Sequence, residues 1–82
     1  MKEQFQKWNP NAQTLTRLEQ ILAVLEEYAE MGIRLTLRQL YYQLVSKDII
    51  LNNQKEYKKL GTVLANARLA GLVDWSAIED RV

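Results

Sequence analysis

The first of three amphipathic segments spans residues 14–31, where apolar residues recur every three or four positions. The members of this apolar stripe are Leu15, Leu18, Ile21, Leu22, Leu25, Tyr28 and Ala29. This spacing places them on one face of a helix. Thr14 or Thr16 is a candidate N-cap, and Gly32 follows the segment where a left-handed backbone commonly ends a helix. The pattern therefore predicts a helix over 14–31.

A second amphipathic segment runs from Leu37 to about Lys47. Its apolar face contains Leu37, Leu40, Tyr41 and Leu44. Thr36 precedes the segment and Gln39 follows three residues later, which is the pattern of a capping box. Tyr42 lies off the apolar stripe at the helical angle of ~100° per residue. We predict a helix here with Tyr42 on its polar side.

The third segment covers residues 54–70. Its apolar side contains Tyr57, Leu60, Leu64 and Ala67, and its polar side contains Lys55, Lys58, Lys59, Thr62 and Asn66. Asn52 or Asn53 is the predicted N-cap, and Gly71 is the predicted C-terminal stop. Gly61 inside the segment lowers helix propensity. We therefore expect Gly61 to mark a close contact between helices, while Ile49 and Ile50 in the preceding connection fill the core.

Two short segments suggest a small β element. Residues 33–35 alternate and include a β-branched residue, which favours a short strand. After the third helix the pattern leaves two alternatives open. Either Ser76 and Glu79 cap a single helical turn, or residues 78–82 return as a strand beside residues 71–73.

The order helix, short strand, helix, connection, helix and extended tail is that of a winged helix-turn-helix domain. The junction ARLAGLVDW (67–75) is similar to that family's junction between third helix and wing. The resemblance implies a mainly α fold with a small β element, over residues 14–82. The wing would be short or degenerate, the third helix would be the recognition helix, and residues 1–13 would form an N-terminal arm. A plain three-helix bundle is the alternative.

The composition is that of one globular domain, because 82 residues with 48% hydrophobic and 26% charged side chains fit neither a disordered nor a multidomain chain. Neither Cys nor His occurs, which excludes disulfides and Ser-His or Cys-His catalysis. No apolar run reaches the ~20 residues of a membrane span, and no signal peptide is evident. We expect a cytoplasmic protein with no membrane association, no small-molecule substrate, no cofactor and no metal.

The charges are segregated along the chain although the formal net charge is only +1. Residues 34–68 carry seven basic and two acidic side chains, a net of +5, whereas residues 1–33 and 69–82 each have a net charge of −2. The acidic Glu26 and Glu27 of the first helix are interpreted as part of a solvated face. A basic middle segment can attract a polyanion locally even in a nearly neutral protein.

The polar side of the third helix is the main candidate interface. Exposed lysines suit phosphate groups, and Thr62 and Asn66 suit base edges in the major groove. Glu56 is the single acidic residue of this helix. We predict that double-stranded DNA binds to Lys55, Lys58, Lys59, Thr62 and Asn66. Arg34 and Arg38 are further candidates for phosphate contacts.

A protein-interaction module of the same fold is the alternative function. Winged helices also bind protein partners, and a fold does not determine a function. The near-neutral total charge favours this alternative, whereas the charge segregation opposes it. It predicts a homodimer or a bound protein partner in place of DNA.

Tyr42 raises a further possibility because it lies one turn after Arg38. The segment RQLYY (38–42) resembles a motif on the winged-helix domain of the topoisomerase VI A subunit and its meiotic relative. The resemblance implies that Tyr42 attacks a DNA phosphate and that Arg38 contacts that phosphate. This chemistry also needs a metal-binding Toprim domain, for which this chain has no counterpart. We therefore do not expect the chain alone to cleave DNA.

Residues 36–81 are also similar to the N-terminal part of uncharacterised phage and mobile-element proteins. This resemblance implies a targeting domain within a longer protein.

Overall fold

Three α-helices make up most of the computed structural model, which describes residues 10–79 without the side chain of Trp75. Helix α1 spans Ala12–Glu30, α2 spans Leu37–Ser46 and α3 spans Gln54–Leu69. One 3₁₀ turn, Trp75–Ala77, follows α3. The mainly helical class is therefore confirmed. Residues 1–9 of the predicted N-terminal arm lie outside the described residues.

The N-terminus of α1 lies two residues before the predicted start. Asn11 has an extended backbone, and its side-chain oxygen accepts a 2.8 Å hydrogen bond from the amide of Thr14. The Thr16 hydroxyl instead donates to the carbonyl of Ala12 at 3.1 Å, as an interior helix residue can. The prediction of Thr14 or Thr16 as the cap is therefore wrong, because Asn11 provides a strong capping group earlier in the chain.

The other predicted helix ends are confirmed. Thr36 and Gln39 form the capping box of α2, with reciprocal hydrogen bonds of 3.2 and 2.9 Å. Asn53 caps α3 by accepting from the amide of Glu56 at 2.8 Å. Gly32 and Gly71 have φ angles of 75° and 77°, the left-handed conformation that glycine adopts without strain.

The helices enclose one main apolar core. Ile21 of α1 and both Leu40 and Leu44 of α2 have no exposed surface. The other buried members are Val24, Leu25, Leu35, Tyr41, Ile50, Leu60, Leu64 and Ile78. The predicted role of Ile50 is confirmed, and Ile49 packs against the same cluster. The connection between α2 and α3 thus contributes to the core that fixes the two helices together.

The apolar stripe of α1 faces the core at a different angle from the predicted one. Leu15 and Leu22 are 43% and 37% exposed, whereas Val24 is 4% exposed. Leu18 forms a second small cluster with Ala67 of α3 and Val73. Periodicity identifies the helix, but the packing of α2 and α3 against it decides which side of the broad stripe is covered.

The predicted β element consists of one bridge. Leu35 pairs in parallel with Ile78, and the amide of Glu79 donates to the carbonyl of Leu35 at 2.9 Å. The single helical turn of the first alternative is present as the 3₁₀ turn, but Asp74 rather than Ser76 lies at its N-cap position. In the second alternative Ile78 pairs with Leu35 rather than with residues 71–73, and residues 80–82 lie outside the described residues. Residues 10–79 contain no β-sheet.

Two arginines explain where the tail lies. The guanidinium groups of Arg34 and Arg68 donate to the carbonyl of Ile78 at 3.3 and 3.2 Å. The Ile78 side chain is 2% exposed, so apolar burial and charge-assisted hydrogen bonds act on the same residue. The segment after the 3₁₀ turn is thereby held between Leu35 and the end of α3.

None of the helices in residues 10–79 combines the length and the apolar character that crossing a bilayer requires.

Candidate nucleic-acid interface

The polar side of α3 is open to solvent along the helix. Lys55, Lys58, Lys59 and Thr62 are exposed, and Asn66 is partly buried. This orientation follows from the opposite side, where Leu60, Leu64 and Ala67 are buried. We call the set Lys55, Lys58, Lys59, Thr62 and Asn66 the basic face. The fold thus brings the five predicted α3 residues together on one surface.

One polar group of the basic face is already used within the helix. The Thr62 hydroxyl donates to the carbonyl of Lys58 at 3.1 Å. A hydroxyl has one hydrogen and two lone pairs, so Thr62 in this rotamer presents its oxygen as an acceptor. The lysine ammonium groups beside it are donors only.

One acidic residue, Glu56, lies beside the basic face on α3. Glu56 occupies the first turn of α3, where a carboxylate favours the positive end of the helix dipole. It lines a small cavity of about 70 Å³ beside α1, together with Arg17 and Lys59. Lys59 therefore borders α1 at one edge of the basic face.

The acidic side of α1 is exposed, as predicted. Glu26, Glu27 and Glu30 are all solvent-accessible. Glu27 pairs with Lys47 at 3.8 Å, an exposed ion pair whose typical contribution to stability is at most ~1 kcal/mol. In the described part of the chain, no three acidic side chains are arranged to hold a metal ion.

Arg38 extends from α2 towards α3. Its guanidinium carbon lies 5.8 Å from the centre of the Tyr57 ring, within the range of a cation–π contact. Arg38 is nevertheless exposed, and a guanidinium carries five N–H donors. The contact fixes the direction of the side chain while leaving it accessible to a ligand.

The adjacent tyrosines have different environments, as their positions on the helix predict. Tyr41 is 6% exposed and Tyr42 is 54% exposed. The Tyr41 ring centre lies 5.6 Å from that of Tyr42 and 5.1 Å from that of Tyr57, with the Tyr57 ring edge-on. Three aromatic rings therefore meet where α2 approaches α3.

A concave surface lies beside these rings. One part, of about 620 Å³, is lined by residues of α2 and its cap Thr36, together with Tyr57 and Glu79. An adjoining part of about 280 Å³ is lined by residues of α2, Gln54 and Tyr57. We call this recess the tyrosine groove. Its lining residues are Thr36, Leu37, Arg38, Gln39, Tyr41, Tyr42, Gln54, Tyr57 and Glu79.

Arg34 has a structural contact that the sequence did not indicate. Its guanidinium donates to the carbonyl of Ile78 at 3.3 Å, although the residue is exposed. One hydrogen bond leaves other guanidinium donors for phosphate. A phosphate contact at Arg34 stays a prediction, as does the nucleophilic role of Tyr42.

Sequence reasoning missed Tyr57 and Gln54 as parts of the candidate site. The spacing that Tyr57 shares with Leu60 and Leu64 predicts a position in the core. The structure shows Tyr57 partly buried at the rim of the groove. Periodicity gives a side chain's direction around the helix but not how far the neighbouring helix covers it.

Comparisons of the chain with models of protein families, with curated proteins and with solved structures found no match. Its function is therefore inferred from the residues and their geometry.

Proposed function

We propose that this protein is a DNA-binding domain that binds duplex DNA through the basic face of α3. The proposal is supported by one observation above the others. Lys55, Lys58 and Lys59 are exposed together on the side of α3 opposite the core, and the acidic residues of α1 lie on another helix. Such a surface can neutralise several neighbouring phosphates.

The roles within the interface follow from the chemistry of the side chains. The lysines would contact phosphates and supply affinity without sequence preference. Thr62 and Asn66 lie further along the same side and would approach base edges in the major groove. Arg38 on α2 would add a phosphate contact beside the start of α3.

This arrangement is consistent with a winged helix-turn-helix domain whose wing is reduced. Helix α2 would support α3, and α3 would be the recognition helix. The arginine-held segment around Ile78 would take the place of the wing. We further propose that the domain directs a larger protein of the phage or mobile-element type to DNA.

A salt titration tests the proposal. The anisotropy of a labelled duplex of random sequence is measured against protein concentration at several salt concentrations. We expect the logarithm of the binding constant to fall linearly with the logarithm of salt concentration, by ~0.9 for each phosphate contacted. No binding at low salt would contradict the proposal and favour a protein partner.

A further inference from the structure

The tyrosine groove has the chemistry of a site for a flat polar ring. Tyr42 and Tyr57 provide aromatic surface, and Arg38 lies against Tyr57 at 5.8 Å. Tyr42 in particular is 54% exposed, so its ring is available to a ligand. The volume of about 620 Å³ for the larger part falls within the ~300–1,000 Å³ common for ligand pockets.

The groove carries polar groups that suit the edge of a base. Arg38 lines the larger part, and a guanidinium can donate to the acceptor atoms of a base as well as to a phosphate. Gln54 brings a side-chain amide that can both donate and accept to the adjoining part. The Gln39 side-chain oxygen already accepts from the amide of Thr36, so Gln39 contributes mainly its NH₂ donors to the larger part.

The groove adjoins the basic face. Gln54 lines the groove, and Lys58 lies one helical turn later on the same side of α3. A strand whose phosphates contact Lys58 could therefore place its next nucleotide at the groove. Aromatic groups beside a cationic surface are the combination that binds unpaired nucleotides.

We propose that the tyrosine groove binds an unpaired nucleobase adjoining the duplex, with Tyr42 as the stacking residue, so that the domain prefers a junction between duplex and single strand. This inference rests on the proposed binding of duplex DNA to the basic face. Tyr42 would act here through its ring face, and no covalent step is involved.

The test compares two labelled DNAs that share one duplex, the first blunt and the second with a short unpaired extension. Wild type should bind the extended DNA at least about five-fold more tightly, the lower limit for stacking of one base on an aromatic side chain. Tyr42→Ala should bind both DNAs equally, with unchanged affinity for the blunt duplex. Tyr42→Phe should retain the preference because it retains the ring.

A fluorescent base gives a second measurement that reports directly on stacking. The probe is 2-aminopurine at the first unpaired position of the extension. Its fluorescence should be quenched when wild type or Tyr42→Phe binds, and not when Tyr42→Ala binds. Since Tyr42 is exposed, the alanine variant should fold, and circular dichroism checks that it does.

The outcomes separate this inference from the proposed function. Salt-sensitive binding to the blunt duplex with no preference for the extension would overturn the proposed base site in the groove. It would leave the proposed duplex binding by the basic face standing. A preference that persists in Tyr42→Ala would also overturn the base site. A preference lost in Tyr42→Phe would show that the hydroxyl rather than ring stacking is responsible, and would overturn it too. Absence of binding to either DNA would overturn the proposed function itself.

Discussion

The hydroxyl of Tyr41 lies 2.7 Å from the side-chain oxygen of Asn52, and this hydrogen bond links α2 to the segment that precedes α3. The same hydroxyl lies 3.2 Å from the carbonyl oxygen of Asn53, the residue that caps α3. The start of α3 is therefore fixed by a side chain from α2. The side chains of Asn52 and Asn53 have separate roles, since the Asn52 side-chain oxygen accepts from Tyr41 and the Asn53 side-chain oxygen caps α3.

Replacing Tyr41 with Phe should lower stability without changing the fold. The variant keeps the ring contacts with Tyr57 but removes the hydroxyl, and a typical hydrogen bond contributes ~0.5–1.5 kcal/mol. We expect a loss of about 1 kcal/mol in the free energy of unfolding, measured by urea denaturation. Tyr42→Phe is the matched control, and it should change stability by less than ~0.5 kcal/mol because Tyr42 is exposed. Equal stability of Tyr41→Phe and wild type would show that water replaces the bond.

The helices could be predicted from the sequence because local signals determine them. The capping box at Thr36 and Gln39 involves only neighbouring residues, and Gly71 ends α3 through its own backbone conformation. The division between Tyr41 and Tyr42 also follows from position on the helix. These features can be predicted without knowing how the rest of the chain folds.

The position of the tail could not be predicted in the same way. The partners of Ile78 are Leu35, Arg34 and Arg68, which are ten or more residues away in the chain. Such a contact depends on how the helices pack, and packing has no local pattern. The tyrosine groove was missed for the same reason, because it exists only where α2 approaches α3.

Gly61→Ala should stabilise the protein. A methyl group at Gly61 would lie 3.6 Å from Cδ2 of Leu37, an ordinary van der Waals distance. Alanine is favoured over glycine inside a helix by up to ~1 kcal/mol. For a domain of this size that gain corresponds to a rise of roughly 4–8 °C in the melting temperature, measurable by circular dichroism.

Gly32→Ala is the matched control, and it should lower the stability that Gly61→Ala raises. No atom lies within 4 Å of the added methyl group, but φ is 75°. A left-handed backbone costs an L-residue ~1–2 kcal/mol. The same chemical change should therefore lower the melting temperature here. A lower melting temperature for Gly61→Ala than for wild type would mean that Leu37 cannot accommodate the methyl group.

Arg68→Met should loosen the segment around Ile78. The guanidinium donates to the Ile78 carbonyl at 3.2 Å from a partly buried position. Hydrogen bonds to charged groups contribute ~1.5–3 kcal/mol. We expect faster hydrogen exchange at the amide of Glu79, whose bond to Leu35 depends on this segment staying in place.

Arg34→Met is the comparison for that change. Arg34 donates to the same carbonyl at 3.3 Å but is exposed, so water can replace it at little cost. Its effect on exchange at Glu79 should be smaller than that of Arg68→Met. If Arg34→Met and Arg68→Met accelerated exchange at Glu79 equally, the burial of Arg68 would not explain how the segment around Ile78 is held in place.

Lys58→Ala and Lys59→Ala should each weaken the binding of duplex DNA. Both lysines are exposed on the basic face, and removing one lysine–phosphate interaction reduces the slope of log affinity against log salt by ~0.9. The weakening should be similar for duplexes of different sequence, because phosphate contacts carry no base information. Anisotropy titrations of two unrelated duplexes at several salt concentrations measure both quantities.

Lys47→Ala separates the effect of the basic face from that of total charge. The substitution removes the same charge, but Lys47 is the C-cap residue of α2, outside the basic face, and pairs with Glu27 of α1 at 3.8 Å. If long-range attraction alone caused binding, all three variants would lose affinity to a similar degree. Direct contact predicts that Lys47→Ala keeps the wild-type salt slope while Lys58→Ala and Lys59→Ala do not. A uniform loss of affinity across the three would contradict an interface on α3.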